Sequence, residues 1–357
     1  MNQRIVIVAS GLVIGILGVL LVYAGNPSNM GICVACFIRD IAGGLGLHQT
    51  EIVQYIRPEI LGFILGAFII AALKKEFKPL GGSSPLIRFV LGAFVMIGAL
   101  VFLGCPLRMV LRLAAGDLTA IWALLGFVGG VYLGTNFLKM GFTLGRNYNQ
   151  GKSEGQLISF ISIGLLVLLV AVPSVLFFSE SGPGSLKAPL LISLGAGLLI
   201  GILAQRSRIC LAGGIRDLFL IKDPHLIYGF ISIFVFALVL NIIFGYFNLG
   251  FQDQPVAHND ALWSFLGMGL AGLGSVMLGG CPLRQTIMAG EGNTDSAIAF
   301  FGMFVGAAIS HNLGLAGSPA GVGTNGKVAV IVGFLLMFGL AYAIISQTRR
   351  GGASSGK

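Results

Sequence analysis

The sequence predicts an all-α polytopic membrane protein, with about 9–10 transmembrane helices plus short re-entrant helices in two inverted-topology repeats. Three observations carry that prediction. Of the 357 residues, 56% are hydrophobic and only 10% are charged, against roughly 25% charged in an ordinary soluble domain. Apolar runs close to the roughly 20 residues needed to cross a hydrocarbon core recur along the whole chain. Several short motifs also occur twice, in the same order.

The apolar runs lie near residues 5–24, 58–74, 87–103, 119–140, 157–178, 188–205, 225–246, 262–279, 294–312 and 327–346. Open sheet cannot sit in lipid and alternating barrel patterns are absent, so the runs read as helices. Arg4 precedes the first run, but no A-x-A cleavage site follows and the run has a partner later in the chain. It therefore reads as a retained helix rather than a signal peptide.

The repeat is specific. GLVIGIL (11–17) returns as GLLIGIL (197–203), and ICVACFIRD (32–40) as ICLAGGIRD (209–217). GCPLR (104–108) returns unchanged at 280–284, and GFVGG (126–130) matches GMFVG (302–306). The register shifts near the start because the first copy inserts NPSNMG (26–31) before its cysteine. The organisation expected is a first repeat at 1–178, a second, inverted repeat at 179–346, and a cytoplasmic tail at 347–357. An odd number of spans in each half makes the second enter the membrane from the opposite side.

Loop charge gives the orientation. Lys74, Lys75, Lys78 and Arg88 fall on one side, with Lys139, Arg146 and Lys152, then Arg206, Arg208, Arg216 and Lys222, then Arg349 and Arg350. SESGPGSLKAP (179–189) and NLGFQDQPVAHND (248–260) fall on the other. Both termini are thus expected in the cytoplasm, with the chain in the inner (cytoplasmic) membrane. On this reading Cys33, Arg39 and the first GCPLR face outward, while Cys210, Arg216 and the second face inward. The net charge of +9 comes without a soluble domain or a long basic run, which excludes nucleic-acid binding. It points to orientation, anionic lipid or an anionic substrate. No P-loop is present, which argues against direct ATP drive.

The residues able to carry chemistry are the duplicated ones. Cys33, Cys105, Cys210 and Cys281 stand in matched pairs, each close before an arginine. In GCPLR, Gly104 and Gly280 permit close approach of another segment, and Pro106 and Pro282 start a short helix after a break. Each cysteine then lies at a helix N-terminus, where amides and the dipole favour an anion or a thiolate. Arg108 and Arg284 follow one turn later. Arg39–Asp40 and Arg216–Asp217 are intramembrane charges that either stabilise the fold or attract substrate. Asp117, Glu291 and Asp295 follow the short segments, where acids either repel an anion or couple protons. His48, His225, His258 and His311 are unduplicated and read as packing residues. No Cys/His cluster has zinc spacing, so neither a metal site nor a cofactor is expected.

At these residues the chain resembles the YeeE/YedE family of sulfur-transport membrane proteins, over essentially its whole length. The resemblance rests on RICLAGGIRD (208–217), its first-half partner ending at Asp40, and the two glycine-cysteine motifs. It implies two inverted halves and a pore whose thiols contact the passing ion, here Cys33, Cys105 and Cys281, with Cys210 at the remaining symmetric position. GCPLR and the NPSNMGICVACFIRD stretch look most like the subgroup described as selenium transporters. Thiosulfate-type members lack Pro-Leu-Arg after the cysteine and carry Arg where this chain has Gly31. The function expected is therefore import of a selenium- or sulfur-containing anion, such as thiosulfate, along a cysteine- and arginine-lined path. A small cytoplasmic sulfur-carrier (sulfurtransferase-like) protein is a conceivable acceptor. Two rivals stand beside it: a membrane thiol-disulfide oxidoreductase using the Cys33-Val34-Ala35-Cys36 pair, and a soft-metal transporter, disfavoured by the arginine beside each cysteine.

Overall fold

The computed structural model describes residues 3–354, and the side chains of residues 3–349. Fifteen α-helices follow in order. The first half holds α1 (Gln3–Tyr23), α2 (Val34–Gly44), α3 (Pro58–Leu73), α4 (Pro85–Val101), α5 (Pro106–Ala114), α6 (Ala120–Lys139) and α7 (Lys152–Ala171). A four-residue turn, α8 (Gly182–Ser185), leads into α9 (Leu190–Ser207), α10 (Leu211–Ile221), α11 (His225–Ile243), α12 (Ala261–Leu278), α13 (Pro282–Gly290), α14 (Thr294–Asn312) and α15 (Thr324–Ser354). Nine spans among the described residues are long and apolar enough to cross a membrane, and α14 supplies a tenth long helix of 19 residues. All ten expected runs are helices. The run expected to reach 178 stops at Ala171, because Pro173 opens a 3₁₀ turn. The expected tail begins inside α15, which runs on to Ser354, and residues 355–357 lie outside the described residues.

The starts of these helices are written locally. Pro58, Pro85, Pro106 and Pro282 take the first helical position of α3, α4, α5 and α13, where a missing N–H costs nothing and the fixed φ is already helical. The four short helices α2, α5, α10 and α13 occupy the places of the duplicated cysteine motifs.

Packing interleaves the two halves. α1 lies on α11 and α9 on α3; α6 lies on α12 and α14 on α4; α5 touches α11 and α13 touches α3. Each contact thus recurs with the halves exchanged, and α4 crosses α12 at the centre. Neither half holds a separate core.

The connections segregate into two ends. At one, β1 (Leu80–Gly81) pairs antiparallel with β2 (Tyr148–Asn149), Arg206 bridges Glu76 at 2.8 Å, and Lys78 N–H donates to the Glu291 carbonyl at 3.1 Å. At the other, Ala188 N–H donates to Asn26, Asn312 donates to the Leu47 carbonyl, and Leu118 N–H donates to Gly250. This is the grouping of loops expected from charge. Lys78, Arg206 and Arg208 lie at the first end.

Candidate functional site

Each duplicated cysteine stands at the N-cap of a short helix: Cys33 on α2, Cys105 on α5, Cys210 on α10 and Cys281 on α13. The sulfurs of Cys33 and Cys210 accept from the amides of Cys36 and Gly213 at 3.2 and 3.3 Å, as N-cap oxygens do in ordinary helices. Cys105 and Cys281 make no such capping bond and are followed by Pro106 and Pro282. The thiols gather into two clusters. In the first, the sulfurs of Cys33 and Cys36 are 2.8 Å apart, with Cys105 close to Cys33. In the second, Cys210 and Cys281 are 3.6 Å apart, and the Cys281 amide donates to the Cys210 sulfur at 3.4 Å. All five cysteines are free and buried.

The glycines of GCPLR do something other than admit a foreign segment. A Cβ on Gly104 would sit 3.0 Å from the Arg108 Cδ, and one on Gly280 3.0 Å from the Arg284 Cγ. Each motif's glycine makes room for its own arginine to fold back. Identical motifs then place those arginines differently.

Arg108 is fully buried. It donates to the carbonyls of Asn29 at 2.8 Å and Val256 at 3.1 Å, to the Leu103 carbonyl, and to the Cys36 sulfur at 3.5 Å. None of these partners is a carboxylate. Arg284 is 13% exposed and bridges Glu291 at 2.8 Å. Arg39 pairs with Asp40 at 2.7 Å, and Arg57 grips the other oxygen of Asp40 at 2.7 Å; all three are buried. Their repeat partners Arg216 and Asp217 form one pair at 2.7 Å, with the arginine 28% exposed. Of the four arginines expected on the path, three are in ion pairs. Only Arg108 holds its charge against neutral acceptors.

Two cavities lie at opposite ends; no cysteine lines either, but Asn29 in the first accepts from Arg108, and Arg284 lines the second. The first, about 210 Å³, is lined by Gly31, Ser28 and Asn29 from the NPSNMG insertion, by Leu111, and by Asp253 and Gln254. The Asn29 Nδ2 in its wall has no hydrogen-bond partner among the described residues. The second, about 190 Å³, is lined by Lys78, Arg208, Arg284, Gln205, Glu76 and Glu291. Hydrogen bonds from Gln205 and Arg206 hold the Glu76 carboxyl below its ordinary range. Under exchange of the halves the two cavities correspond: each lies between the first helix of one half, the short helix after GCPLR, and the loop after the facing long helix. Gly31 explains a missing cation at the first mouth. A Cβ there would meet the Gly18 carbonyl at 1.8 Å, so no side chain fits unless α1 moves. Its repeat partner Arg208 lines the second mouth.

The remaining candidates are engaged with neighbouring side chains or carbonyls. Asp117 pairs with Arg112 at 2.6 Å and Asp295 with Arg88 at 3.4 Å. His258 hydrogen-bonds the Val101 carbonyl, His48 stacks on His311, and His225 pairs with Asp223. No group of three or more His, Cys, Asp or Glu able to hold a metal occurs among the described residues. Sequence reasoning missed Arg57, Arg112 and Glu59. Glu59 is buried, accepts from Asn26 at 2.8 Å and Ser193 at 3.0 Å, and leaves its Oε2 unpartnered among the described residues. Asp40 reaches Arg57, and Asn26 and Ser193 reach Glu59, from distant parts of the chain, so their pairing carries no local signal, whereas Asp117 lies only five residues after Arg112.

Ten long helices with four short ones at the duplicated motifs, the two halves packed crosswise, define a polytopic helical membrane protein. Comparison with known proteins narrows the class. Residues 206–348 match the family model described as sulphur transport, which bears out the YeeE/YedE resemblance over that region. The chain is 32% identical over 129 residues to the thiosulfate transporter TsuA of Escherichia coli (strain K12), covering 34% of each protein. It is 32% identical over 109 residues to TsuA of Spirochaeta thermophila, covering 30% of this chain and 32% of that relative. The matches thus span about a third of the length of these curated relatives.

Proposed function

We propose that this chain imports a small sulfur-containing anion across the cytoplasmic membrane, passing it from the Cys33/Cys36/Cys105 cluster to the Cys210/Cys281 cluster. The observation that carries the reading is Arg108. A guanidinium held in a low-dielectric site by neutral acceptors is costly, and an arriving anion repays that cost. The thiols beside it suit a soft chalcogen, while Arg108 and the helix N-termini suit its oxygens. The family match and the named thiosulfate transporters support the sulfur-anion part of the reading. Thiosulfate is the substrate we favour, and a selenium species shares its chemistry. The halves act as inverted repeats, with the Cys33/Cys105 mouth outward, the basic end cytoplasmic, and no chemical conversion of the ion.

Uptake of radiolabelled thiosulfate into vesicles holding the purified protein, with selenite as competitor, tests this. Cys105→Ala and Cys281→Ala should each abolish uptake. Full transport by both would overturn the thiol path. The oxidoreductase reading gains one observation, the 2.8 Å approach of Cys33 to Cys36. It requires Cys36→Ser to abolish activity while Cys281→Ala does not.

A further inference from the structure

An open apolar cavity of about 750 Å³ forms a slot between α5, α6, α10 and α11, lined among others by Leu218, Ile231, Leu124 and Val128. The repeat partners of these four residues are Ile41, Ile64, Phe300 and Phe304, and they too line a single cavity, of about 110 Å³. The difference is α7. In the first copy of the groove, α7 lies across it on α3, α13 and α14 and turns Ile158, Ile161, Ser162 and Leu165 into it. The corresponding last helix of the second half, α15, lies instead on α12 and α4. The slot on α11 has therefore lost its cover.

The missing piece has a counterpart elsewhere on this chain. The filling set on α7 is spaced i, i+3, i+4, i+7. On α15, Val328, Ile331, Val332 and Leu335 repeat that spacing and are 53, 51, 46 and 69% exposed. One helix thus shows an apolar ridge of the filling type, and one groove of the filled type stands open. Both flank α6: Leu124 and Val128 line the slot, while Phe137 packs edge-on against Phe338 of α15 at 5.5 Å.

We propose that a second copy of this chain closes the slot with the outward face of its α15, and receives this chain's α15 in return, forming a two-fold dimer beside α6. A lock and key on one surface of one chain satisfy the self-complementarity of an isologous interface. In lipid, helices associate by packing rather than by the hydrophobic effect, so a preformed groove and matching ridge are what such contact requires.

The full-length chain carrying benzoylphenylalanine at Ile231 should, on illumination in native membranes, form a covalent dimer whose crosslinked peptide comes from residues 324–345. Subunit counting by single-molecule photobleaching should show two steps. Leu335→Trp, on an exposed face where it cannot disturb the fold, should lower the two-step fraction about tenfold if that contact is central. Leu199→Trp, on exposed α9 away from the slot, should not. Single-step bleaching with crosslinks only to lipid or to a different protein would overturn the proposal, as would a dimer indifferent to Leu335→Trp.

Discussion

The two copies of Gly-Cys-Pro-Leu-Arg are the same five residues in different company. In the first, the NPSNMG insertion and the 252–256 loop wrap the arginine, and the carbonyls of Asn29 and Val256 take its N–H groups. Val256 itself is held at φ +51, a conformation a β-branched residue rarely adopts. In the second copy no insertion precedes Cys210, and Arg284 reaches a half-open mouth to meet Glu291. The same contrast separates the fully buried Arg39–Asp40–Arg57 triad from the half-buried Arg216–Asp217 pair. What a motif does is thus set by the loops laid over it. The molecule is drawn tight at the Cys33 end and loose at the Cys281 end.

Substitutions that treat the halves unequally sharpen this contrast. The largest effect on stability should come from Asp40→Asn, which strands two buried arginines and costs about 3–5 kcal/mol. Asp217→Asn, on a partly exposed pair, should cost about 1 kcal/mol or less. Thermal unfolding in detergent measures both, and equal losses would erase the distinction. Next, Arg108→Gln should cut anion uptake by more than about 100-fold, equivalent to roughly 2.7 kcal/mol of barrier. Arg284→Gln, with Glu291 beside it, should cost about tenfold or less. Initial uptake rates in vesicles separate the two, and a reversed order would move the principal anion site to the other end.

Gly31→Ala forces a Cβ against the Gly18 carbonyl and should destabilise by about 1–3 kcal/mol, as overpacking does. Arg208→Ala at the matching position should leave the melting temperature unchanged. The smallest effect is expected from Cys36→Gly, which gives the first cluster the composition of the second. Uptake should fall by a few-fold at most, on the order of 1 kcal/mol. Complete loss would assign Cys36 an indispensable role and favour the redox reading.

Much of this architecture was legible in the sequence because hydropathy, proline and duplication act locally. The ten apolar runs became the ten long helices, and Pro106 and Pro282 placed Cys105 and Cys281 at N-caps as the motif implied. The arginines were less legible. Arg39 and Arg216 have their aspartates next in sequence, but Arg284 carries the same local signature as Arg108, and only its contact with Glu291 sets it apart. Arg57 reaches Asp40 from 17 positions away, and its charge sits just before an apolar run, where it passes for a boundary residue. The loop that covers Arg108 comes from 148 positions further on. No periodicity reports a contact of that kind.

The central claim is that the two clusters are opposite doors of one path. Variants keeping only Cys105 or only Cys281, reconstituted in one known orientation, can be treated with a small charged methanethiosulfonate from either face. Cys105 should react from the outside and Cys281 from the cytoplasmic side, both more slowly when thiosulfate is present. Reaction of both thiols from the same face, or indifference of both to thiosulfate, would contradict the account.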